Sequence, residues 1–334
     1  MRIAINGFGR IGRNFLRVIL SDKIASQKIT IVAINIGPGH IANTAHLFKY
    51  DTLMGTYHEP VLVEDNYLVI GNNRIQLYAI AEPADLPWKS LDIDWVVDAS
   101  GKFTKRELAE KHLQAGAKAV LITAPAKGDD ISIIPGINDA EFDKQKHKIV
   151  SLGSCTTNAF MPILKIINDA CEIEQGFMTT VHAYTNSQVL LDVEDKDLRM
   201  SRAAALNIIP AGTGAAKMIG KVIPSLENKI KATALRVPVA KVSLMDVVLI
   251  TKKKSNIQQI NDLFISASQT SLKGIVALSQ EPLVSSDYSG SPYSVVIDGL
   301  LTGSFGNMHK ICGWYDNEWG YSERLKDFLI LALK

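Results

Sequence analysis

Residues 151–158 read Ser151-Leu152-Gly153-Ser154-Cys155-Thr156-Thr157-Asn158, a single thiol among small and hydroxyl-bearing side chains. The apolar run that follows predicts a helix starting near Cys155. A helix N-terminus lowers the pKa of a thiol, and a paired imidazole lowers it further. Backbone N–H groups at such a start also hold an oxyanion of the kind formed when a thiolate attacks an aldehyde. A lone cysteine is otherwise most often a small buried apolar residue. His182 supplies the partner: it closes a predicted strand over 177–182 and opens His182-Ala183-Tyr184-Thr185-Asn186, so its ring stands at a sheet edge as base and ion-pair partner.

A second chemical feature opens the chain. Gly7-Phe8-Gly9-Arg10-Ile11-Gly12 is a GxGxxG placed between an apolar strand over 2–6 and a helix over 10–20. The first glycine permits the tight turn, the second lets the backbone approach a diphosphate, and the third lets helix and strand pack closely. The helix start then offers N–H groups and positive dipole to the phosphates. In this context the motif favours a dinucleotide over a ligand-free turn. The second strand, over 29–35, ends in Asn35, and no carboxylate follows before Asp51. A carboxylate there would grip the ribose 2′-OH and repel the extra phosphate of NADP. Its absence permits NADP without demanding it, and His40 is the one nearby side chain that could help.

The elements around these motifs fall into two textures. The 334 residues suggest two domains. In the first half, strands alternate with helices (95–99, 105–115, 119–123), which predicts a mainly parallel sheet covered on both faces. Two β-rich stretches, 60–69 and 74–80, read as an inserted hairpin through Gly71-Asn72-Asn73. After Val150 the reading is a helix from Cys155 to about 167, strands over 232–239, 243–250, 295–298 and 309–314 in one mixed or antiparallel sheet, and a helix over 257–268. The fold class expected is an α/β dinucleotide-binding (Rossmann-type) domain plus an α+β catalytic domain with a mixed sheet. The expected division is 1–153, completed by a C-terminal helix over 316–334, and 154–315.

Composition excludes several function classes. With 36 basic and 34 acidic residues the net charge is +2, which argues against nucleic acid or a membrane surface as partner. No apolar run reaches the roughly 20 residues that span a bilayer, no leader pattern is present, and the cytoplasm is the expected compartment. The three cysteines, Cys155, Cys171 and Cys312, form neither a disulfide framework nor CxxC, and the seven histidines show no HExxH, so no metal site is expected.

Taken in order, these residues resemble the phosphorylating glyceraldehyde-3-phosphate dehydrogenase family over essentially the whole chain. The resemblance rests on INGFGRIGR at the start, KYDTLMG at 49–55, ITAPAKG at 122–128, SCTTN at 154–158 and HAYTN at 182–186. It continues through the stretch at 195–217, LRVPV at 235–239 and WYDNEWGYS at 314–322. It implies oxidation of D-glyceraldehyde 3-phosphate to 1,3-bisphosphoglycerate with NAD(P) and inorganic phosphate, a reversible step of glycolysis and gluconeogenesis. Cys155 would form a thiohemiacetal and then a thioester, with His182 as base. Asn317 would orient the nicotinamide, Arg10 and Ile11 would lie by the diphosphate, and Thr123 by the nicotinamide-side ribose. Thr185 and Arg236 match the site for the substrate C3 phosphate; Ser154, Thr156, Thr213 and Gly214 match that for the attacking phosphate. Arg236, flanked by Leu235 and Val237, would be costly to bury without an anion, which fits this role independently. The irregular stretch 183–208 resembles the family's S-loop and implies a homotetramer.

The chain departs from the family pattern at several positions. Ile36 replaces the cofactor-selecting Asp, and Val193-Glu194 replace a Leu-Pro pair of NAD-specific members. Met200 stands for the second of two arginines, which weakens phosphate affinity if that arginine contributes, and Ser187 stands where an Asp is common. The cofactor is therefore written as NAD or NADP. Ala159 replaces a frequent second cysteine, so peroxide would drive Cys155 to the sulfenic or higher acids instead of a local disulfide. Two alternatives remain at this level: an erythrose-4-phosphate dehydrogenase that hydrolyses its thioester, and a redox-responsive binding protein on the same scaffold.

Overall fold

In the computed structural model, which describes residues 1–333, the chain opens on β1 (Arg2–Asn6), α1 (Arg10–Ser21), α2 (Lys23–Lys28), β2 (Thr30–Asn35) and α3 (Asn43–Lys49). It continues through β3 (Val61–Glu64), β4 (Tyr67–Ile70), β5 (Asn73–Tyr78), β6 (Trp95–Asp98), α4 (Arg106–Gln114), β7 (Ala119–Ile122), β8 (Ile131–Ser132) and β9 (Ile149–Ser151). These strands make one sheet in the order β3-β4-β5-β2-β1-β6-β7-β9-β8. All pairs from β5 to β8 are parallel. Ile3–Ile5, Val96–Val97 and Val120–Ile122 are fully or almost fully buried, as strands covered on both faces must be. The strand order reverses between β1 and β6, the place where open α/β sheets bind ligands at their carboxyl ends.

The stretch read from sequence as one strand over 60–69 is two. Asp65 and Asn66 have φ of 48° and 63°, the left-handed pair of a two-residue hairpin turn, and Glu64 pairs Tyr67 across it. Asn and Asp tolerate this conformation, and the apolar alternation on either side hid the break.

The second unit begins with α5 (Cys155–Cys171) and β10 (Ile173–Ala183), followed by β11 (Ile209–Ala211), α6 (Ala215–Val222), β12 (Ile230–Val237), β13 (Ser243–Thr251) and α7 (Ile257–Gln269). It is completed by β14 (Val276–Ser279), β15 (Val295–Asp298), β16 (Gly303–Phe305), β17 (Met308–Tyr315) and the first residues of α8 (Trp319–Leu331). Its mixed sheet runs β11-β12-β10-β13-β17-β15-β14, with β16 on β17. Alternate residues of β13, among them Met245, Val247 and Leu249, are buried in one core with Phe160, Ile163 and Leu164 of α5 and Phe264 of α7. Between β10 and β11 the only regular piece is one 3₁₀ turn, Ala204–Leu206. The architecture is thus the α/β domain plus mixed-sheet α+β domain expected.

Contacts group Met1–Ile133, Asp139–Gly153 and the residues from Leu325 in one unit, and Ile134–Asn138 with Ser154–Arg324 in the other. Ile134 lies in the second core, and Asn138 Oδ1 accepts from its N–H at 2.8 Å, which carries that short segment out of the first unit. The final helix starts at Trp319 instead of 316 because Asp316 Oδ1 accepts from the N–H groups of Glu318 (3.1 Å) and Trp319 (2.9 Å), acting as a cap. Residues up to Arg324 belong to the second unit, and Leu325 onward to the first, where Phe328 packs edge-on to Trp95 and Phe142.

Candidate active site

In the first unit β1 delivers the chain into a turn that only glycine accommodates. Gly7 has φ of 91°, and a Cβ there would sit 2.5 Å from the Ser100 backbone. A Cβ on Gly12 would lie 2.3 Å from the Gly7 carbonyl oxygen, so the third glycine is what lets α1 close on the strand. A Cβ on Gly9 would meet nothing within 4 Å, and Gly9 brings no capping side chain to α1. The start of a twelve-residue helix therefore opens onto free space with its first-turn N–H groups uncapped by Gly9, which fits a diphosphate.

The surrounding groups are held firmly. Arg10 pairs with the buried carboxylate of Asp51, which also accepts from Leu53 N (2.9 Å) and Met54 N (3.0 Å). Asp98, at the end of β6, accepts from Asn6 Nδ2 (2.7 Å), Ser100 Oγ (2.7 Å) and Ser100 N (3.2 Å), and its carbonyl accepts from Thr123 N (3.0 Å). Asn35 donates to Asn6 Oδ1 at 2.7 Å, closing a buried amide and carboxylate chain beneath the loops. Ile11 is half-buried, Ile36 follows Asn35, and no carboxylate stands at the end of β2.

A Gly12→Ala substitution tests this packing. An exposed helix glycine gains stability as alanine. Here the added carbon meets backbone, and the expected result is a loss of about 1–3 kcal/mol in urea denaturation, with weaker dinucleotide affinity by calorimetry. A stabilised variant with unchanged affinity would contradict the assignment.

In the second unit the site is a rung across four strands. The register sets His182 of β10 beside Arg236 of β12, Val181 of β10 opposite Leu244 of β13, and Ser243 opposite Tyr315 of β17. Onto this rung α5 brings Cys155. Ser154 is its N-cap, its Oγ accepting from Thr157 N at 3.1 Å while Thr157 Oγ1 reaches back to the Ser154 N–H, so the helix start is fixed from both sides. Cys155 Sγ lies 3.6 Å from His182 Nε2 and 4.0 Å from Thr156 Oγ1. Arg236 Nη1 lies 2.6 Å from His182 Nδ1 and donates to the Ala183 carbonyl at 3.1 Å. Its Nε is buried with no hydrogen-bond partner, an unsatisfied donor at the site.

Beneath the rung is a hub that sequence reasoning missed. The Tyr315 hydroxyl meets Thr180 Oγ1 at 2.6 Å and Thr156 Oγ1 at 3.2 Å, and it also bonds Ser243; the ring stands edge-on to His182. Ser243 Oγ accepts from Ala183 N (3.1 Å), so its own proton goes to Asn317 Oδ1 (3.4 Å). That polarity leaves Asn317 presenting its Nδ2 donor on the other side. Asp316 beside it pairs with buried Lys241 at 2.9 Å. Tyr315 lies within the WYDNEWGYS motif, but nothing in its spacing tells which strands its hydroxyl would join. Tyr315→Phe should cost about 1–3 kcal/mol, because it strands buried hydroxyls without a partner. Chemical denaturation reads this directly, and an unchanged midpoint would remove Tyr315 from the hub.

Electrostatically, charge on either reacting partner alone is disfavoured. Burial pushes the Cys155 thiol up, against the pull of the Thr156 hydrogen bond and the Arg236 charge. Burial and the Arg236 charge push His182 down to about 4. Arg236 itself is lowered by burial. At Sγ burial outweighs the Thr156 hydrogen bond and the Arg236 charge, a direction opposite to the lowering expected from the helix start and the histidine. A proton passed from Sγ to Nε2 would leave two opposite charges in contact, so the two groups ionise as a pair.

Of the residues expected from sequence, Cys155, Thr156, His182, Arg236 and Asn317 are joined here by direct bonds or through Tyr315 and Ser243. Ser154 caps the helix through its Oγ. Thr185 Oγ1 bonds Ser187 Oγ at 2.9 Å, and Thr213 Oγ1 accepts from Ala215 N at 3.2 Å where Gly214 caps α6. Among the described residues no hydrogen bond links Thr185, Thr213 or Gly214 to the Cys155–His182 pair.

Residues 1–106 match the family model for the glyceraldehyde 3-phosphate dehydrogenase NAD binding domain, and residues 154–317 that for the glyceraldehyde 3-phosphate dehydrogenase C-terminal domain. The chain is 45% identical over 331 residues to glyceraldehyde-3-phosphate dehydrogenase 2 of Bacillus subtilis (strain 168), covering 98% of this chain and 96% of that one. It is 46% identical over 329 residues to glyceraldehyde-3-phosphate dehydrogenase of Geobacillus stearothermophilus, covering 98% and 96%. A relative of that name from Kitasatospora aureofaciens is 46% identical over 330 residues, covering 99% and 98%.

Proposed function

The chain belongs to the glyceraldehyde 3-phosphate dehydrogenase family, and from that premise we propose that it oxidises D-glyceraldehyde 3-phosphate to 1,3-bisphosphoglycerate with NAD or NADP and inorganic phosphate. The observation that carries the reading is the Cys155 Sγ to His182 Nε2 approach of 3.6 Å at a capped helix start. Sγ attacks the aldehyde carbon, the carbonyl electron pair moves to oxygen, and a thiohemiacetal forms. Backbone N–H groups at the start of α5 face the charge on that oxygen. His182 then takes the hydroxyl proton as the hydride leaves the carbon, which leaves a thioester on Cys155. When bound, NAD(P) supplies the hydride acceptor. Its diphosphate suits the glycine turn at Gly7, Gly9 and Gly12 beside Arg10 and Ile11, with Thr123 at the ribose. The Asn317 amide, polarised by Ser243, suits the carboxamide of the nicotinamide.

Arg236 holds the C3 phosphate with Thr185; its unpaired buried Nε is the donor that an anion would satisfy. Ser154, Thr156, Thr213 and Gly214 serve the inorganic phosphate, whose oxygen attacks the thioester and expels the Cys155 thiolate. The erythrose-4-phosphate alternative is not favoured, since the named relatives are glyceraldehyde-3-phosphate dehydrogenases. Product analysis decides between the two: acyl phosphate must form only with inorganic phosphate present, and phosphate-independent turnover of erythrose 4-phosphate would overturn the choice.

A homotetramer is the assembly we favour. Leu190, Leu191, Val193, Leu198, Leu206 and Ile208 are all exposed on the irregular segment, an apolar concentration that subunit association would cover. The cytoplasm is the proposed compartment; among the described residues no helix is long and apolar enough to cross a membrane.

A further inference from the structure

The stretch Lys241-Val242-Ser243, which leads into β13, carries backbone strain. Val242 has φ of 67°, and a β-branched residue in that left-handed region is a genuine outlier. Such a conformation persists only where the surroundings over-determine it. Here the Val242 side chain is buried with Tyr288 and Val296, and the residues on either side of it are tied to one short segment of the chain. Lys241 Nζ donates to Asp316 Oδ2 at 2.9 Å, and Ser243 Oγ reaches Asn317 Oδ1 at 3.4 Å. The strand register brings the two segments together, since Ser243 at the start of β13 pairs Tyr315 at the end of β17.

Asp316 is the firm end of this arrangement. Its side chain is fully buried, and both carboxylate oxygens are engaged: Oδ2 by Lys241 and by Gly290 N (2.7 Å), Oδ1 by Glu318 N (3.1 Å) and Trp319 N (2.9 Å). A carboxylate taken out of water needs an opposite charge, and Lys241, itself almost fully buried, brings it. The Asn317 side chain is held less tightly, because 3.4 Å is long for a hydroxyl donor, whose usual reach is about 2.8 Å. The direction of its amide is therefore set by where the backbone at 316–317 stands, and that backbone is fixed through Asp316.

We propose that the strained turn 241–243 clamps the residues that receive the nicotinamide, with Lys241 as a positioning residue: by neutralising Asp316 in place, it fixes the Asn317 amide at the angle that meets the carboxamide. This rests on the reading of Asn317 as the nicotinamide contact and adds the residue that aims it. Lys241 acts through Asp316 and not by touching the cofactor. With the lysine charge gone, the Asp316 carboxylate is left uncompensated and turns toward water or takes a proton, and the turn loses one of its two ties. The glycine turn between β1 and α1 belongs to the other unit and keeps its form, so the loss falls on the nicotinamide end of the dinucleotide alone.

The test is calorimetric binding to the full-length protein of NAD and of ADP-ribose, which shares the diphosphate and both riboses but has no nicotinamide. Lys241→Met keeps the length of the stem and removes the charge. It should weaken NAD by about tenfold, the worth of one hydrogen bond, and leave ADP-ribose unchanged. If the methionine variant does not fold, Ser243→Ala, an uncharged change at the other tie, carries the test with the same expected split. Asn317→Ala is the benchmark and should lose affinity for NAD but not for ADP-ribose. Equal losses for both ligands in the tested clamp variant overturn the clamp, because a merely structural role would not tell them apart. A loss for neither, while Asn317→Ala loses NAD, also overturns it and leaves the Asn317 reading standing. Unchanged NAD affinity in Asn317→Ala removes Asn317 from the nicotinamide site and the clamp with it.

Discussion

Cys155→Ser should lower turnover on glyceraldehyde 3-phosphate by about 10³-fold or more, with the fold retained. Serine is close in volume to cysteine, and the cap of α5 is made by Ser154 and Thr157, not by the thiol. What changes is the nucleophile: an alkoxide is far harder to form than a thiolate, and it is a poorer leaving group when phosphate attacks the acyl enzyme. Dinucleotide affinity should be nearly unchanged, because the glycine turn lies in the other unit. Steady-state kinetics and mass spectrometry of the acylated protein measure both points. A serine variant that turns over like wild type would end the proposed mechanism.

His182→Asn should cost about 10²–10⁴-fold in kcat, the usual worth of a positioned base, with a much smaller change in KM because Arg236 and Thr185 remain. The pH profile supplies the sign. Burial and Arg236 push His182 down to about 4, so the ring stays unprotonated well below the ordinary histidine value near 6.5. Falling pH protonates the base and removes activity, so the acid limb of kcat/KM in wild type should lie below 6.5, toward 4. In the asparagine variant that limb should vanish. An acid limb that survives unchanged in the variant would assign it to another group.

These two experiments address residues that sequence alone could nominate, and the structure shows why others stayed out of reach. Cys155 was legible because a lone thiol between Ser154 and the helical run 155–171 points to a nucleophile once a histidine closes the next strand. The glycine turn was legible for the same kind of reason: the backbone there rejects a side chain, and Gly7 and Gly12 would both clash with backbone if replaced. Tyr315 and Ser243 were not legible as site residues. Each sits near a recognisable motif, but their roles depend on β13 lying between β10 and β17, which no local pattern encodes. The turn at Asp65-Asn66 was missed because the apolar alternation runs through it, and only backbone geometry shows the break.

By itself, then, the sequence determined the two domain types and nominated the dinucleotide turn, the nucleophile and its base, because each is a local pattern of residue type and spacing. Tertiary structure alone decided the rung Arg236–His182–Ser243–Tyr315, since strand register brings residues from four separate strands side by side. It also decided how far each member of the pair is taken out of water. Spacing placed Cys155 at a helix start and favoured a thiolate, but burial around Sγ and Nε2 is a property of the packed sheet, and it pushes the thiol up and the imidazole down.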